Sequence, residues 1–184
     1  MVDIIWPAIT AFGDLRLWIL IIIVAGYYVH FINKNSKSSH KIKIAINAVC
    51  IALFFSIFFV AVLKAEINVP RECIPCLSDG SNITFCNAHC PNESRFPSGH
   101  ATIAFAVLGS LWVTMTDRKK LLIYALPVFA IASLIAISRV ALGVHEPIDI
   151  LMGALIGILI TCIAHLLNRH YKIVRTSFHG KDLH

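Results

Sequence analysis

Two short stretches of the sequence carry residues that could act together on a phosphoryl group. The first is Pro97-Ser98-Gly99-His100, where the apolar run beginning at Ala101 makes Ser98 a candidate helix N-cap. The free N–H groups and the positive dipole end of a helix start favour a bound phosphate. His100 could then donate a proton to a departing oxygen. The stretch therefore predicts an anion site at the beginning of a helix.

The second stretch is Ser138-Arg139, followed by His145 and then by Asp149. Arg139 is a permanent cation, and Asp149 could orient the imidazole of His145. Taken alone, His145 is more often an interfacial residue and Asp149 a charge at a helix start. Asp149, however, opens an apolar run, where a carboxylate is costly without a partner. We therefore interpret His145 and Asp149 as a functional pair.

These residues resemble the signatures of the type 2 phosphatidic acid phosphatase (PAP2) superfamily, which run K-x6-R-P, P-S-G-H and S-R-x5-H-x3-D. The second and third signatures are complete in the two stretches just described. Lys64 and Arg71 match the K-x6-R spacing of the first, but Glu72 stands where the family has proline. The departure concerns the shape of the loop and not the two cations. The spaced combination is far more specific than any one signature.

The resemblance implies an all-helical membrane enzyme and a role for each matched residue. His145 would be the nucleophile that forms a phosphohistidine, Asp149 would hold its ring, and His100 would be the general acid and then the base. The remaining matched residues would bind the phosphoryl oxygens: Lys64, Arg71, Ser98, Gly99 and Arg139. No metal or other cofactor is expected, because the cations and helix starts neutralise the charge and the sequence lacks a carboxylate cluster for magnesium.

The composition independently places the chain in a membrane. Of its 184 residues 58% are hydrophobic and only 14% charged, and the mean hydropathy is +0.78. These values are too apolar for an ordinary soluble domain, and the length suits a single domain, 1–184. The net charge of +6 lies in short clusters between apolar runs. Membrane topology explains such clusters better than nucleic-acid binding, so we expect no nucleic-acid partner.

The apolar pattern predicts an integral membrane helical bundle of about five transmembrane helices. The predicted spans are 15–32, 42–63, 101–114 with its flanks, 121–137 and 148–167. Before them, residues 1–14 have helical apolar spacing but are too few to cross, which predicts a short amphipathic helix at the interface. Gly153 and Gly157 form a small-xxx-small pair that would let the last span approach a neighbour closely.

Basic residues between the spans predict the orientation of the chain. They fall after the first, third and fifth spans, as Lys34, Lys37, Lys41, Lys43, Arg118, Lys119, Lys120, Arg169, Lys172 and Arg175. The positive-inside rule then places these segments and the C-terminus in the cytoplasm. The N-terminus and all signature residues fall on the outer face of the cytoplasmic membrane.

A cysteine-rich segment, 72–94, lies in the outer connection between the second and third spans. It contains Cys73, Cys76, Cys86 and Cys90. Two disulfides are the favoured interpretation, because the predicted compartment is oxidising, and their pairing is left open. A zinc site is the alternative, since the Cys-x2-Cys and Cys-x3-Cys spacings also suit that metal.

The sequence predicts hydrolysis of a phosphomonoester or diphosphate on a lipid, and leaves the natural lipid and the oligomeric state open. By resemblance, the candidate substrates are polyprenyl diphosphates such as undecaprenyl diphosphate, phosphatidylglycerol phosphate, phosphatidic acid and lipid A phosphates. Among them we favour a polyprenyl diphosphate. The alternatives are a lipid phosphotransferase on the same scaffold, a non-enzymatic transporter or lipid-binding protein, and a zinc-dependent assembly factor built on the cysteine segment.

Overall fold

Every regular element is a helix in the computed structural model, which describes residues 2–32, 37–69, 94–116 and 120–179. In chain order the helices are α1 (Val2–Ala11), α2 (Leu15–Tyr27) with a π-helical turn at Tyr28–Ile32, α3 (Lys37–Ile67), α4 (Gly99–Met115), α5 (Leu121–Ala141) and α6 (Pro147–His179). The all-helical prediction is confirmed. The five predicted spans and the separate N-terminal helix all form helices, and α3 and α6 extend beyond the predicted bounds.

Helix α4 lies at the centre of the bundle and packs against α3, α5 and α6. Every residue from 101 to 107 is buried, whereas surface helices bury only one stripe. One apolar cluster joins α4 to α2, α3 and α6 through residues such as Trp18, Leu53 and Ile160. A second cluster joins α4 to α5 through Phe105 and Ile135. The helix that begins with the P-S-G-H stretch is therefore enclosed by the rest of the chain.

Two glycines allow α6 to lie almost against the backbone of α4. A Cβ on Gly153 would lie 2.6 Å from the carbonyl oxygen of Ser98, and a Cβ on Gly157 would lie 2.7 Å from that of Thr102. Both distances are too short for any larger residue to fit without a shift of the helices. The close approach predicted from the glycine pair is confirmed, and it brings the start of α6 beside the start of α4.

The outer surface of the bundle is apolar, as a lipid-facing surface requires. Large side chains such as Leu122, Leu126 and Phe31 are 87%, 79% and 67% exposed. By length and composition three helical stretches could each cross a membrane, namely Ser39–Ile67, Leu121–Ala141 and Pro147–Asn168. The pair Ile5–Ala11 and Leu15–Phe31, bent by 53°, could make a fourth. With 17 residues, α4 is about 26 Å long and slightly short of the hydrocarbon thickness. The chain is a multi-pass membrane protein.

Candidate active site

The start of α6 fixes the position of the Asp149 carboxylate. Pro147 occupies the first helical position, which suits its fixed φ and its missing N–H, and the preceding Glu146 is the N-cap. Two residues after Pro147, Asp149 turns back, and its Oδ2 accepts a hydrogen bond of 2.9 Å from the Glu146 N–H. This is the backward half of a capping box. Asp149 is only 1% exposed, so its carboxylate is held inside the protein at the helix start.

His145 reaches this carboxylate because α5 ends in a sharp reversal. Gly143 has a φ of +67°, its N–H donates to the Val140 carbonyl, and the Val144 N–H donates to the Arg139 carbonyl. This pattern is a Schellman motif, in which glycine adopts the left-handed conformation without strain. The reversal leaves His145 Nδ1 3.4 Å from Asp149 Oδ2, with both side chains buried. That separation is long for a hydrogen bond, and it places the ring nitrogen next to the carboxylate.

Ser98 links the start of α4 to the start of α6. Its N–H donates to the Asp149 carbonyl at 3.1 Å, so the two helix starts are held together by backbone. Ser98 is the N-cap, as predicted, but its hydroxyl makes no capping hydrogen bond. Among the described residues this fully buried oxygen has no hydrogen-bond partner. A buried hydroxyl left unsatisfied costs about 1–3 kcal/mol, which a bound phosphoryl oxygen would recover.

His100 and Arg139 lie at this end of the bundle as well. A Cβ on Gly13 would be 3.0 Å from His100 Cβ and 2.9 Å from Ile135 Cγ2, so α4 and α5 meet at the same point. Arg139 follows Ile135 by one helical turn on the same face of α5. Its Nη1 donates a 2.9 Å hydrogen bond to Thr10 Oγ1. Ser138, the other residue of that signature pair, is buried, and its hydroxyl bonds the Ile135 carbonyl.

Lys64 is placed by the contact of α3 with the start of α4. Val60 Cγ1 lies 3.7 Å from the position that a Cβ on Gly99 would occupy. Lys64 is one turn further along the same face, in the last turn of α3. The structure thus gathers six of the predicted site residues at one end of the bundle: Lys64, Ser98, His100, Arg139, His145 and Asp149. Gly99 belongs to the same helix start, whereas Arg71 lies outside the described residues.

Three polar residues of this region were not found from the sequence. Arg95 forms an ion pair with Glu146, and its Nη1 is 3.9 Å from Asp149 Oδ2. Thr10 contacts Arg139 from the opposite end of the chain. The available signals were an arginine two residues before Pro97 and a glutamate directly after His145. Neither has a spacing that points to a partner, and Thr10 has no local signal at all.

The described residues on the two sides of the cysteine segment are hydrogen-bonded to each other. The Arg95 N–H donates to the Val69 carbonyl at 3.0 Å, and the Val69 N–H donates to Ser94 Oγ at the same distance. The cysteines themselves, Cys73, Cys76, Cys86 and Cys90, lie outside the described residues, so both disulfides and zinc stay predictions. Within residues 2–32, 37–69, 94–116 and 120–179, no three His, Cys, Asp or Glu side chains are grouped closely enough to hold a metal.

Comparison with known proteins identifies relatives of the same kind. A lipid A 4'-phosphatase of Helicobacter pylori is 35% identical over 95 residues, which are 51% of this chain and 44% of that protein. The match thus spans less than half of that relative's length. A PAP2-type phosphatidylglycerolphosphate phosphatase of Bacillus subtilis shares the fold with a TM-score of 0.63 and 22% identity, over 90% of this chain and 76% of its own.

A second solved structure, LpxE of Aquifex aeolicus, gives a TM-score of 0.59 at 23% identity, over 88% of this chain and 84% of its own. At such identities the likeness concerns the fold. The model of the PAP2 superfamily itself matches residues 45–172, which is well over half of the chain and includes the P-S-G-H and S-R-x5-H-x3-D signatures. The chain therefore belongs to the PAP2 superfamily.

Proposed function

We propose that this protein is a phosphatase that removes a phosphate group from a membrane lipid through a phosphohistidine intermediate. The observation that carries the proposal is the buried His145–Asp149 pair, 3.4 Å apart, beside the helix start whose Ser98 hydroxyl has no partner among the described residues. A nucleophile, the group that orients it and an oxyanion donor are the parts that phosphoryl transfer to a side chain needs.

In the first step the Nδ1–H of His145 is held by Asp149, which leaves Nε2 free to attack phosphorus. The Nε2–P bond forms as the bond from phosphorus to the lipid oxygen breaks, and His100 gives its proton to that oxygen. In the second step His100 takes a proton from water as the water oxygen attacks phosphorus. The N–P bond then breaks, and inorganic phosphate is released with His145 restored.

The charge of the transferring phosphoryl group would be balanced by fixed donors. Lys64 and Arg139 supply cations, and we assign the same role to Arg71. The Ser98 hydroxyl and the first N–H groups of α4, including that of Gly99, supply neutral donors aligned with the positive end of the helix dipole.

The substrate class we propose is a lipid carrying a phosphomonoester or diphosphate, presented at the outer face of the cytoplasmic membrane. The sequence relative is named for the 4'-phosphate of lipid A, and one structural neighbour for phosphatidylglycerolphosphate. Lipid A is therefore the first compound to test, followed by phosphatidylglycerol phosphate, undecaprenyl diphosphate and phosphatidic acid.

The deciding experiment measures phosphate released from each pure lipid by the purified protein in detergent, with and without EDTA. We expect release from at least one lipid, no loss with EDTA, and loss of turnover in His145→Ala, with vanadate binding retained. His165→Ala is the control, because His165 is an exposed histidine in the second half of α6, far along that helix from Asp149. Transfer of phosphate to a second lipid without release would indicate a phosphotransferase. Strong inhibition by EDTA would contradict the metal-free mechanism.

A further inference from the structure

The N-terminal helix α1 contributes a side chain to the end of the bundle that contains the candidate active site. Thr10 lies in the last turn of α1, and its Oγ1 accepts a hydrogen bond of 2.9 Å from Nη1 of Arg139, which is 129 residues away in the sequence. Both side chains are partly buried, so the contact is shielded from water on one side. The hydroxyl thus fixes one edge of the Arg139 guanidinium.

Just after α1, the chain also touches His100. Gly13 is buried, and a Cβ at this position would lie 3.0 Å from His100 Cβ and 3.1 Å from Cδ2 of its imidazole ring. The backbone of Gly13 is not in the left-handed region, so the glycine is required by space and not by conformation. The corner between α1 and α2 therefore packs directly against the His100 side chain.

This corner is held rigidly by hydrogen bonds. The Gly13 N–H donates to the Thr10 carbonyl at 2.9 Å, and the indole N–H of the buried Trp18 donates to the Phe12 carbonyl at 2.8 Å. The Asp14 carboxylate caps α2 by accepting from the Arg16 N–H. A segment constrained in this way can act as a fixed support for Arg139 and His100.

We infer that Thr10 and Gly13 are positioning residues of the active site: Thr10 sets the Arg139 guanidinium for the phosphoryl group, and Gly13 sets the His100 ring for proton transfer. The inference rests on the proposed function of Arg139 and His100. Both residues lie outside the segment 45–172 that the family model matches, so the support comes from this chain's own N-terminal helix.

The first test uses vanadate affinity of the purified protein, which depends on Arg139 but not on turnover. Thr10→Val keeps the shape and removes the hydroxyl, and we expect vanadate to bind about tenfold more weakly, because a hydrogen bond to a charged group is lost. Thr10→Ser, which retains the hydroxyl, should recover most of the affinity. The midpoint of thermal unfolding should be the same in both variants. Thr10→Ala replaces Thr10→Val if the latter does not fold.

If Thr10→Val binds vanadate with an affinity within twofold of the wild type, Thr10 does not position Arg139. Because this readout needs no hydrolysis, it separates failure of the inference from failure of the proposed phosphatase activity, which the wild-type protein tests alone. In an Arg139→Ala background, Thr10→Val should add less than twofold, since the donor that Thr10 accepts from is already absent. A full additional loss there would mean that Thr10 acts elsewhere.

The second test is Gly13→Ala, which pushes a methyl group against His100. We expect kcat to fall about tenfold or more with a smaller change in KM, since a displaced general acid affects the chemical step. Gly26→Ala on α2 is the matched control, because a Cβ at Gly26 would meet nothing within 4 Å. Equal effects of the two alanines on kcat, or an effect of Gly13→Ala on KM alone, would contradict the role of Gly13.

Discussion

A single carboxylate oxygen of the candidate site, Oδ2 of Asp149, lies close to three polar groups. It accepts the Glu146 N–H at 2.9 Å, lies 3.4 Å from His145 Nδ1, and is 3.9 Å from Arg95 Nη1. A carboxylate that is 1% exposed has lost its water, and these contacts offset that loss. The same oxygen of Asp149 thus caps the start of α6 and contacts the ring of His145.

We expect Asp149→Asn to lower kcat about a hundredfold or more, because a neutral amide cannot stabilise the positive charge that develops on His145 when Nε2 attacks, and its NH2 group can face Nδ1 and select the wrong tautomer. The change is small in volume, so the helix start should survive. Phosphate release and the amount of acid-labile phosphoprotein formed in a single turnover measure the effect. Wild-type turnover in Asp149→Asn would exclude Asp149 as the orienting group.

Arg95 is the second residue whose substitution we expect to lower turnover. Arg95→Gln removes the cation that stands between Glu146 and Asp149 and leaves two carboxylates side by side. We expect turnover to fall about tenfold, because like charges disfavour the arrangement around His145. Glu146 is about half exposed, so Glu146→Gln alone should have a small effect.

The double variant Arg95→Gln with Glu146→Gln separates two explanations for this loss. Removal of the repelling carboxylate should restore part of the activity if Arg95 acts by balancing Glu146 and Asp149. If the double variant is as slow as Arg95→Gln, charge balance is not its role, and a direct contact of Arg95 with the phosphate becomes the better explanation. The kcat and KM of the four proteins decide between them.

At the scale of the elements, the site depends on how closely α6 lies to α4. The glycines at 153 and 157 bring the two helices together, and the Thr161 hydroxyl lies within hydrogen-bonding distance of the Phe105 and Ala106 carbonyls across the same interface, where its one proton can be donated to either. The Ser98 N–H can reach the Asp149 carbonyl only because of this approach. Packing along the middle of the bundle therefore determines the geometry at its end.

We expect Gly157→Ala to lower the free energy of unfolding by about 1–3 kcal/mol, because its methyl group would overlap Phe105 Cβ at 2.6 Å and the Thr102 carbonyl at 2.7 Å. Unfolding in mixed detergent, followed by tryptophan fluorescence, measures the change. Gly26→Ala, which meets no neighbour within 4 Å, should be neutral or slightly stabilising. If the two substitutions have the same effect, the helix contact is not what the glycine at 157 provides.

Local signals in the sequence predicted the helices and the two helix starts well. Apolar run length marked each helix, Ser98 marked the start of α4, and the apolar run from residue 148 marked the start of α6 to within one residue. The glycine pair predicted the contact of α6 with a neighbour, though not that α4 was the neighbour. These features depend on residues close together in the chain, which is why sequence reasoning can find them.

Contacts between distant segments could not be predicted in this way. The bond between Thr10 and Arg139 depends on the 53° bend after α1 and on how α1 packs against α5. Periodicity gave α1 only an interfacial position, because spacing reports the face that a helix buries and not its partner. Arg95 was missed for a similar reason, since its partners Glu146 and Asp149 follow it by about fifty residues. Tertiary packing supplies both contacts.

At the scale of the whole molecule, all described site residues lie at one end of an apolar bundle. The end of α3, the start of α4, the end of α5 and the start of α6 meet there. Helices that alternate in direction bring every second connection to the same side, so residues from four segments can form one pocket without a soluble domain. A lipid phosphate could then reach the site from the membrane surface while its apolar chains stay among the helices.

This arrangement makes the orientation of the bundle a testable property. The described Lys41, Lys43 and Lys120 lie near connections remote from the site, and the positive-inside rule places them in the cytoplasm. We expect alkaline phosphatase, which is active only outside the cytoplasm, to be active when fused after Asn68 and inactive when fused after Lys120. A fluorescent protein that folds only in the cytoplasm should give the reciprocal pattern at the same two positions.

The control for this experiment weakens the charge signal and leaves the site unchanged. Replacing Lys41, Lys43 and Lys120 by glutamine removes described cations from the predicted cytoplasmic side, and we expect the two reporters then to show mixed orientations, because positive charge in these connections is the signal that the positive-inside rule describes. Activity of the phosphatase fusion after Lys120 in the unaltered chain would place the site in the cytoplasm. The proposed substrate would then have to be a lipid phosphate of the inner leaflet, although the chemistry at His145 would be unaffected.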